Sequence, residues 1–414
     1  MAYAPTSVVF PSERRSIGIA KETAAGTGVM PTGTLPVKGF IGEDKPIWLP
    51  DESLRSAMAM TYGLQEGPYV ADITIDASPV YGDTIGHVLY NSLGDYTVTG
   101  TASTPVYTAP STVSPGAGPI AITTTGVAPG PGVALQLGTS PTAEIVTTGT
   151  GSTTTSLVLS TATPIRFTHT GPVTITTVVA PLTHVFALLN GTGNAQPVTH
   201  TFTDQNFINA DLARWWPYTC MSEVTITGNA EQLLNWSGKG MGFAGVHPLT
   251  TPTVTVSAVP AQPAWNSLVG IGGTVSASPV YQVGEFEIVL TREVQAYFTA
   301  SGQQNPFVIG RGKFSSTGKL NFSPTIDETP LLYMLNNTQP QLQIISTNGL
   351  TGASKVSMQI DVAVCAFDAS VIEASKALLG YNDTFMAVSN TTNTGNSAGY
   401  SPLMITLVNA VPSY

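Results

Sequence analysis

The five histidines, His87, His169, His184, His200 and His247, are scattered along the chain, and none stands in an H-x-x-x-H or C-x-x-C setting. Metal ligation needs donors repeated at short fixed spacing, so a metal site is not expected. Cys220 and Cys365 are the only cysteines and lie far apart, which indicates buried thiols in place of a disulfide framework or zinc site. There is no Gly-x-Ser-x-Gly elbow, P-loop or kinase motif set. Gly310-Arg-Gly312-Lys313 and Gly238-Lys-Gly240-Met-Gly242 are glycine-rich but lack a following Ser/Thr-led helix to receive a phosphate, and they are expected to be turns. Glu43/Asp44, Asp51/Glu52 and Asp327/Glu328 could supply a glycosidase carboxylate pair. Each pair is adjacent in sequence at a turn or helix start, which favours a solvated or helix-dipole role. Trp215-Trp216-Pro217-Tyr218, beside Arg214, could stack on a sugar or base, but a subunit interface or core anchor accounts for it better. No catalytic, cofactor-binding or metal residue is expected.

The elements that must carry these residues are β-rich. Only 10% of the 414 residues are charged and 42% are hydrophobic, and Gly, Pro, Thr and Ser crowd the chain. Thr and Val suit a pleated surface because their branched Cβ is stiff at χ1, and Gly and Pro punctuate turns. The net charge of -10 disfavours an electrostatic grip on nucleic acid or anionic lipid. The opening residues lack the pattern of an export signal, and no stretch reaches the ~20 apolar residues of a membrane span.

Residues 1–35 read as an extended arm with little core of its own. Residues 36–97 mix apolar segments with acids, including the alternating strand Val70–Asp76 and a helix from Asp83 to Asn91 with Asp83 or Thr84 near its N-cap. Residues 98–200 are Thr-rich, with Glu144 and Arg166 the only charged side chains. The runs Ala143–Thr147, Leu157–Leu159 and Val173–Val179 favour a small inserted β-domain over a disordered linker. The mixed apolar and acidic pattern of 36–97 resumes over 201–271, so the insert interrupts one domain. A second body, 272–414, carries strand patterns at Phe286–Leu290, Phe307–Ile309, Lys319–Phe322 and Val356–Val364. Its helices are expected at Glu328–Asn336 and Ser370–Leu379, the latter ended by Gly380.

At an offset of 245, Ile75–Asn91 aligns without gaps on Leu320–Asn336, each reading as a strand, a Ser-Pro turn and an acid-Thr helix start. Four identities in seventeen positions, all common turn and cap chemistry, leave coincidence as the competing explanation to duplication.

Ile17–Thr27, Leu35–Phe40, Gly67–Ile75 running into Tyr81–His87, Asn305–Gly310 and the ending Gly399–Asn409 together resemble the major tail tube proteins of long-tailed, non-contractile bacteriophages. The resemblance implies a mainly β protein: tandem tail-tube β-sandwich or half-barrel folds with short flanking helices, plus the inserted domain. It implies a virion protein assembled in the host cytoplasm, whose sheets join neighbours into rings that stack into a tube for passage of double-stranded DNA. The duplicated fold implies trimeric, pseudo-hexameric rings, with hexamers as the alternative. Tail tip, terminator and tape-measure proteins are the implied partners, without cofactor or membrane anchor. Ring contacts are expected in 36–66 and 293–312, with Trp48, Asp51, Arg55, Trp215, Trp216, Arg292, Phe307 and Arg311 as candidate interface residues. The insert is expected to project outward, so that deleting 102–198 leaves tubes. Rival readings are a receptor- or carbohydrate-binding tail fibre, a capsid decoration or minor tail protein and, weakest, an esterase or glycan hydrolase.

Overall fold

The structure, a computed structural model, describes residues 15–53, 55, 60–116, 118–123, 127–139, 142–161, 163–191, 193–205, 213–247, 257, 259–322, 329–373 and 379–414. The chain opens with β1 (Ser16–Lys21), β2 (Gly33–Leu35) and the long hairpin of β3 (Phe40–Asp51) and β4 (Gly63–Pro79). Helix α1 (Ile85–Leu93) and β5 (Gly94–Ala109) follow. The Thr-rich stretch holds β6 (Ile120–Ala121), β7 (Ala134–Leu137), β8 (Glu144–Thr147) and β9 (Ser156–Leu157), and β10 (Val173–Leu188) leads out of it. Next come β11 (His200–Gln205), β12 (Arg214–Asn229), β13 (Asn235–Gly242), β14 (Ser267–Ile271) and β15 (Pro279–Val280). A second long hairpin, β16 (Val283–Tyr297) and β17 (Val308–Phe322), precedes helix α2 (Thr329–Leu335). The chain closes with β18 (Leu342–Thr347), β19 (Ser357–Val362), β20 (Cys365–Glu373), β21 (Gly380–Ala387) and β22 (Met404–Asn409).

Two large antiparallel sheets result. In the first, the run β3-β4-β13-β12 continues directly as β16-β17-β21-β20, while β11, β1 and β2 extend from the N-terminal half of β12. In the second, β22 lies between β10 and β19, with β18, β14 and β15 beyond β19. One order of elements therefore occurs twice, a long hairpin, a helix, two strands in the second sheet and two in the first, with β7, β8 and β11 additional in the first copy. The starts of β4 and β17 are 245 residues apart, whereas those of β13 and β21 are 145 apart. The difference, about 100 residues, matches the length of the Thr-rich stretch.

Alternation drives this packing, because side chains along a strand point to opposite faces. On β16, Phe286, Ile288 and Leu290 are buried, and Ile73, Ile226, Leu320 and Phe385 join them on one face of the first sheet. Phe186, Ile344, Ile360 and Ile405 come from the second sheet, each such side chain contributing about 1.5–3 kcal/mol on burial. All nine residues of α1 are buried, and the helix stops at Gly94, whose φ of 87° is the left-handed cap glycine favours. A Cβ on Gly86 would sit 2.3 Å from the Tyr414 ring, so this glycine lets the final aromatic residue lie against the helix.

The Thr-rich stretch has a core of its own, confined to 107–175 and including Tyr107, Leu135, Val146, Leu157 and Ile175. The outer parts of the expected insert belong to the main core through Val98, Leu182 and Phe186. Excising 102–198 would thus remove β10, which pairs with β22, and the safe limits are narrower.

Several expectations need correction. Ser370–Glu373, expected to be helical, is the end of β20, with Val371 opposite Asn382 and Ile372 opposite Tyr381. Both glycine-rich turns are strand interiors, in β17 and β13. The reason in β13 is close approach: the Met221 methyl occupies the space a Cβ on Gly238 would need. Residues 16–35 carry buried Ile17, Ile19 and Leu35, because β1 is sandwiched between β2 and β11. Asp327 and Glu328 lie outside the described residues.

Candidate assembly surfaces

The outward face of the first sheet is polar and acidic. Strand register places Glu287 between Thr227 and Lys319, Glu285 between Asn229 and Asn321, and Glu223 beside Lys239. Lys239 pairs with Glu223 at 2.8 Å, and Lys45 meets Asp72 at 2.6 Å and Glu43 at 3.5 Å. Exposed pairs of this kind contribute only about 0–1 kcal/mol, so their consequence is the field of the face rather than stability.

Both long hairpins end in exposed apolar tips. Ile47, Trp48, Leu49 and Leu64 are exposed on β3 and β4, and Tyr297, Phe298 and Phe307 at the end of β16 and in its connection to β17. The second tip touches the flank of the first hairpin: Tyr69 N–H donates to the Gln304 carbonyl at 3.1 Å, and Gln304 Nε2 donates to the Gly67 carbonyl at 3.2 Å. Asp51 pairs with Arg55, whose guanidinium lies 5.1 Å from the centroid of the Tyr62 ring. At the free edge of β20, Val371 and Ile372 are both exposed.

Three candidate interface residues, Trp216, Arg292 and Arg311, are instead interior. Trp216 is buried against Phe40 and donates its indole N–H to Asp44 at 3.1 Å. Its neighbour Trp215 is half-buried, the backbone bridged both ways to Val246. Arg292 and Arg311 are buried beneath the second hairpin. Arg292 donates to the carbonyls of Ser92 and Ala195, at 3.2 and 3.0 Å. Arg311 donates to those of Asn91 and Val198, at 2.9 and 3.1 Å, and to Cys220 Sγ at 3.1 Å. The two guanidiniums staple the C-terminal end of α1, where the helix dipole is negative. Burial, then the neighbouring Arg311 charge, brings the Arg292 pKa down to about 10, still protonated at neutral pH.

Four of the five histidines, all but the exposed His247, also serve the interior. His184 lies between the Tyr96 hydroxyl, 2.9 Å from Nδ1, and Asn409 Oδ1, 3.0 Å from Nε2. Asn91 Nδ2 is 3.0 Å from His200 Nδ1, and the His200 and His87 rings meet edge to face. Burial takes the His87 pKa down to about 3 and that of His184 to about 4, and takes His200 well below the ordinary imidazole value. Among the described residues no group of three or more His, Cys, Asp or Glu could hold a metal ion.

Glu144 and Arg166 stand out in the sequence as the lone charges of the Thr-rich stretch, but their role is visible only in the fold. Both help dock the Thr-rich unit. Glu144 accepts from the backbone N–H groups of Arg166 and Phe167, at 2.8 and 3.1 Å, and lies 2.8 Å from His169 Nε2. Arg166 donates to the Tyr90 hydroxyl and the Tyr96 carbonyl, both at 2.8 Å, reaching α1 and β5 of the main body. Glu144→Gln keeps the shape but loses charge-assisted acceptance, and should cost about 2 kcal/mol, concentrated in this unit. Limited proteolysis should then cut within 107–175 while the body persists; unchanged resistance would contradict the docking role.

A family model described as phage tail tube protein matches residues 12–387. No curated protein matches the chain. Among the described residues no helix is long and apolar enough to cross a membrane.

Proposed function

The chain belongs to the phage tail tube protein family, and we infer that it polymerises as stacked rings forming a tube through which genomic DNA passes during ejection. The observation that carries the ring reading is the doubled run of four strands in one continuous sheet. Two such runs per chain make three chains equivalent to a six-part ring, with β20 of one chain set beside β3 of the next. The acidic face then lines the lumen. Lysine or arginine contacts to phosphate release counterions and bind, whereas excess acid keeps DNA from sticking. Tail tip, terminator and tape-measure proteins are the expected neighbours in a virion tail assembled in the host cytoplasm. Native mass measurement of isolated rings tests the symmetry: three chains are expected, and six would refute it.

The unit with its own core projects outward as a decoration. Ala109 lies opposite Val173, so replacing 110–172 by an Asn-Gly turn closes a hairpin there. Tubes are expected to persist after this excision. Loss of assembly in a chain that remains folded and soluble would refute the outward placement.

A further inference from the structure

We propose that the cleft between Trp265 and Tyr281 is the socket for the β16–β17 hairpin tip of a second copy of the chain, the contact that joins one ring to the next. This rests on the tail tube reading above. Tyr281, Phe307 and Trp265 are 77%, 71% and 69% exposed, the most exposed aromatic side chains among the described residues. Uncovered aromatic surface of this size marks an interaction site. Trp265 and Tyr281 flank an open cleft of about 250 Å³, with Val269, Val280 and Phe286 in its wall and Gly228 and Gly284 leaving room.

Position along the strand supplies the partner. β16 runs from Val283 at the cleft to Tyr297 at the tip, and fifteen residues at about 3.3 Å each span roughly 50 Å. Socket and tip therefore terminate one strand in opposite directions, the geometry of a head-to-tail contact that does not close on itself and so builds a filament. Charge selects this tip over its neighbour. Val294–Gly310 contains no charged residue, and neither does the cleft wall, so docking desolvates no ion. The β3–β4 tip, by contrast, carries Asp51, Glu52 and Arg55.

The test combines Tyr281→Cys and Phe307→Cys in the full chain, assembled into tubes and treated with a short bismaleimide. Cys220 and Cys365 are buried, so background labelling is low. A ladder of linked chains is expected from the double variant, with monomers from each single variant. Trp265→Ala with Tyr281→Ala should give rings of parental mass whose critical concentration for stacking rises at least about tenfold. Tubes without a ladder, or stacking unchanged in the alanine pair, overturn the socket while leaving the tube reading intact. Failure of the parent chain to form tubes overturns both.

Discussion

Acidification from pH 6.5 to 4.5 is expected to unfold the isolated subunit. His87, His184 and His200 all have folded pKa values below the ordinary 6.5, with burial the leading cause in each and the Lys21 charge adding to it for His87 and His200. In this window the unfolded chain binds protons that the folded chain refuses. Stability is therefore fully present above 6.5 and is lost as pH falls toward the folded values. An imidazole kept neutral in the fold costs up to about 1.4 kcal/mol per pH unit below 6.5, so His87 and His184 each remove about 2 kcal/mol by pH 4.5. His200 adds in the same direction, and the loss takes a large part of the stability of a typical domain, about 5–15 kcal/mol. Asp95 and Asp383, whose pKa values burial raises, act in the opposite sense near the bottom of the range but do not reverse it. Urea titrations of dilute subunit at pH 8, 7, 6 and 5 should give level stability above 7 and a steep fall below 6.5. A flat profile down to pH 5 would contradict the buried, neutral assignment.

Arg311→Met should destabilise the subunit by about 3–4 kcal/mol. The guanidinium serves Asn91, Val198 and Cys220 at once, and hydrogen bonds from a charged donor contribute about 1.5–3 kcal/mol each. Relief of repulsion with Arg292 returns part of that loss. Arg311→Lys should recover less than half, because an ammonium lacks the planar fork needed to span separated carbonyls. Urea midpoints at neutral pH measure both variants; a change below about 1 kcal/mol for Arg311→Met would show that the staple is not needed.

The fate of Arg311 also shows where sequence reading stops. Segment 293–312 is expected at the interface through the tail tube resemblance, and Phe307 is indeed exposed. Arg311, four residues later, is buried only because residues 91 and 195–198, far away in sequence, close over it. Trp215 and Trp216 divide similarly, since neighbours on a strand face opposite ways and sequence does not say which is inward. Strand alternation does identify β4, β16 and β19, and the position of α1 is legible from its cap and apolar run. The end of β20 is not, because an edge strand exposed on both faces loses its alternation. The Thr-rich unit is legible as a compositional break, but its true core limits depend on which halves of β5 and β10 face which core. Trp265 and Tyr281 give no local signal, being sixteen residues apart and brought together by β14 and β15.

Electron microscopy of the purified chain at high concentration tests the central claim most directly. Regular tubes with a central channel and three chains per ring are expected. Persistent discrete particles, with no tubes at any concentration, would contradict it.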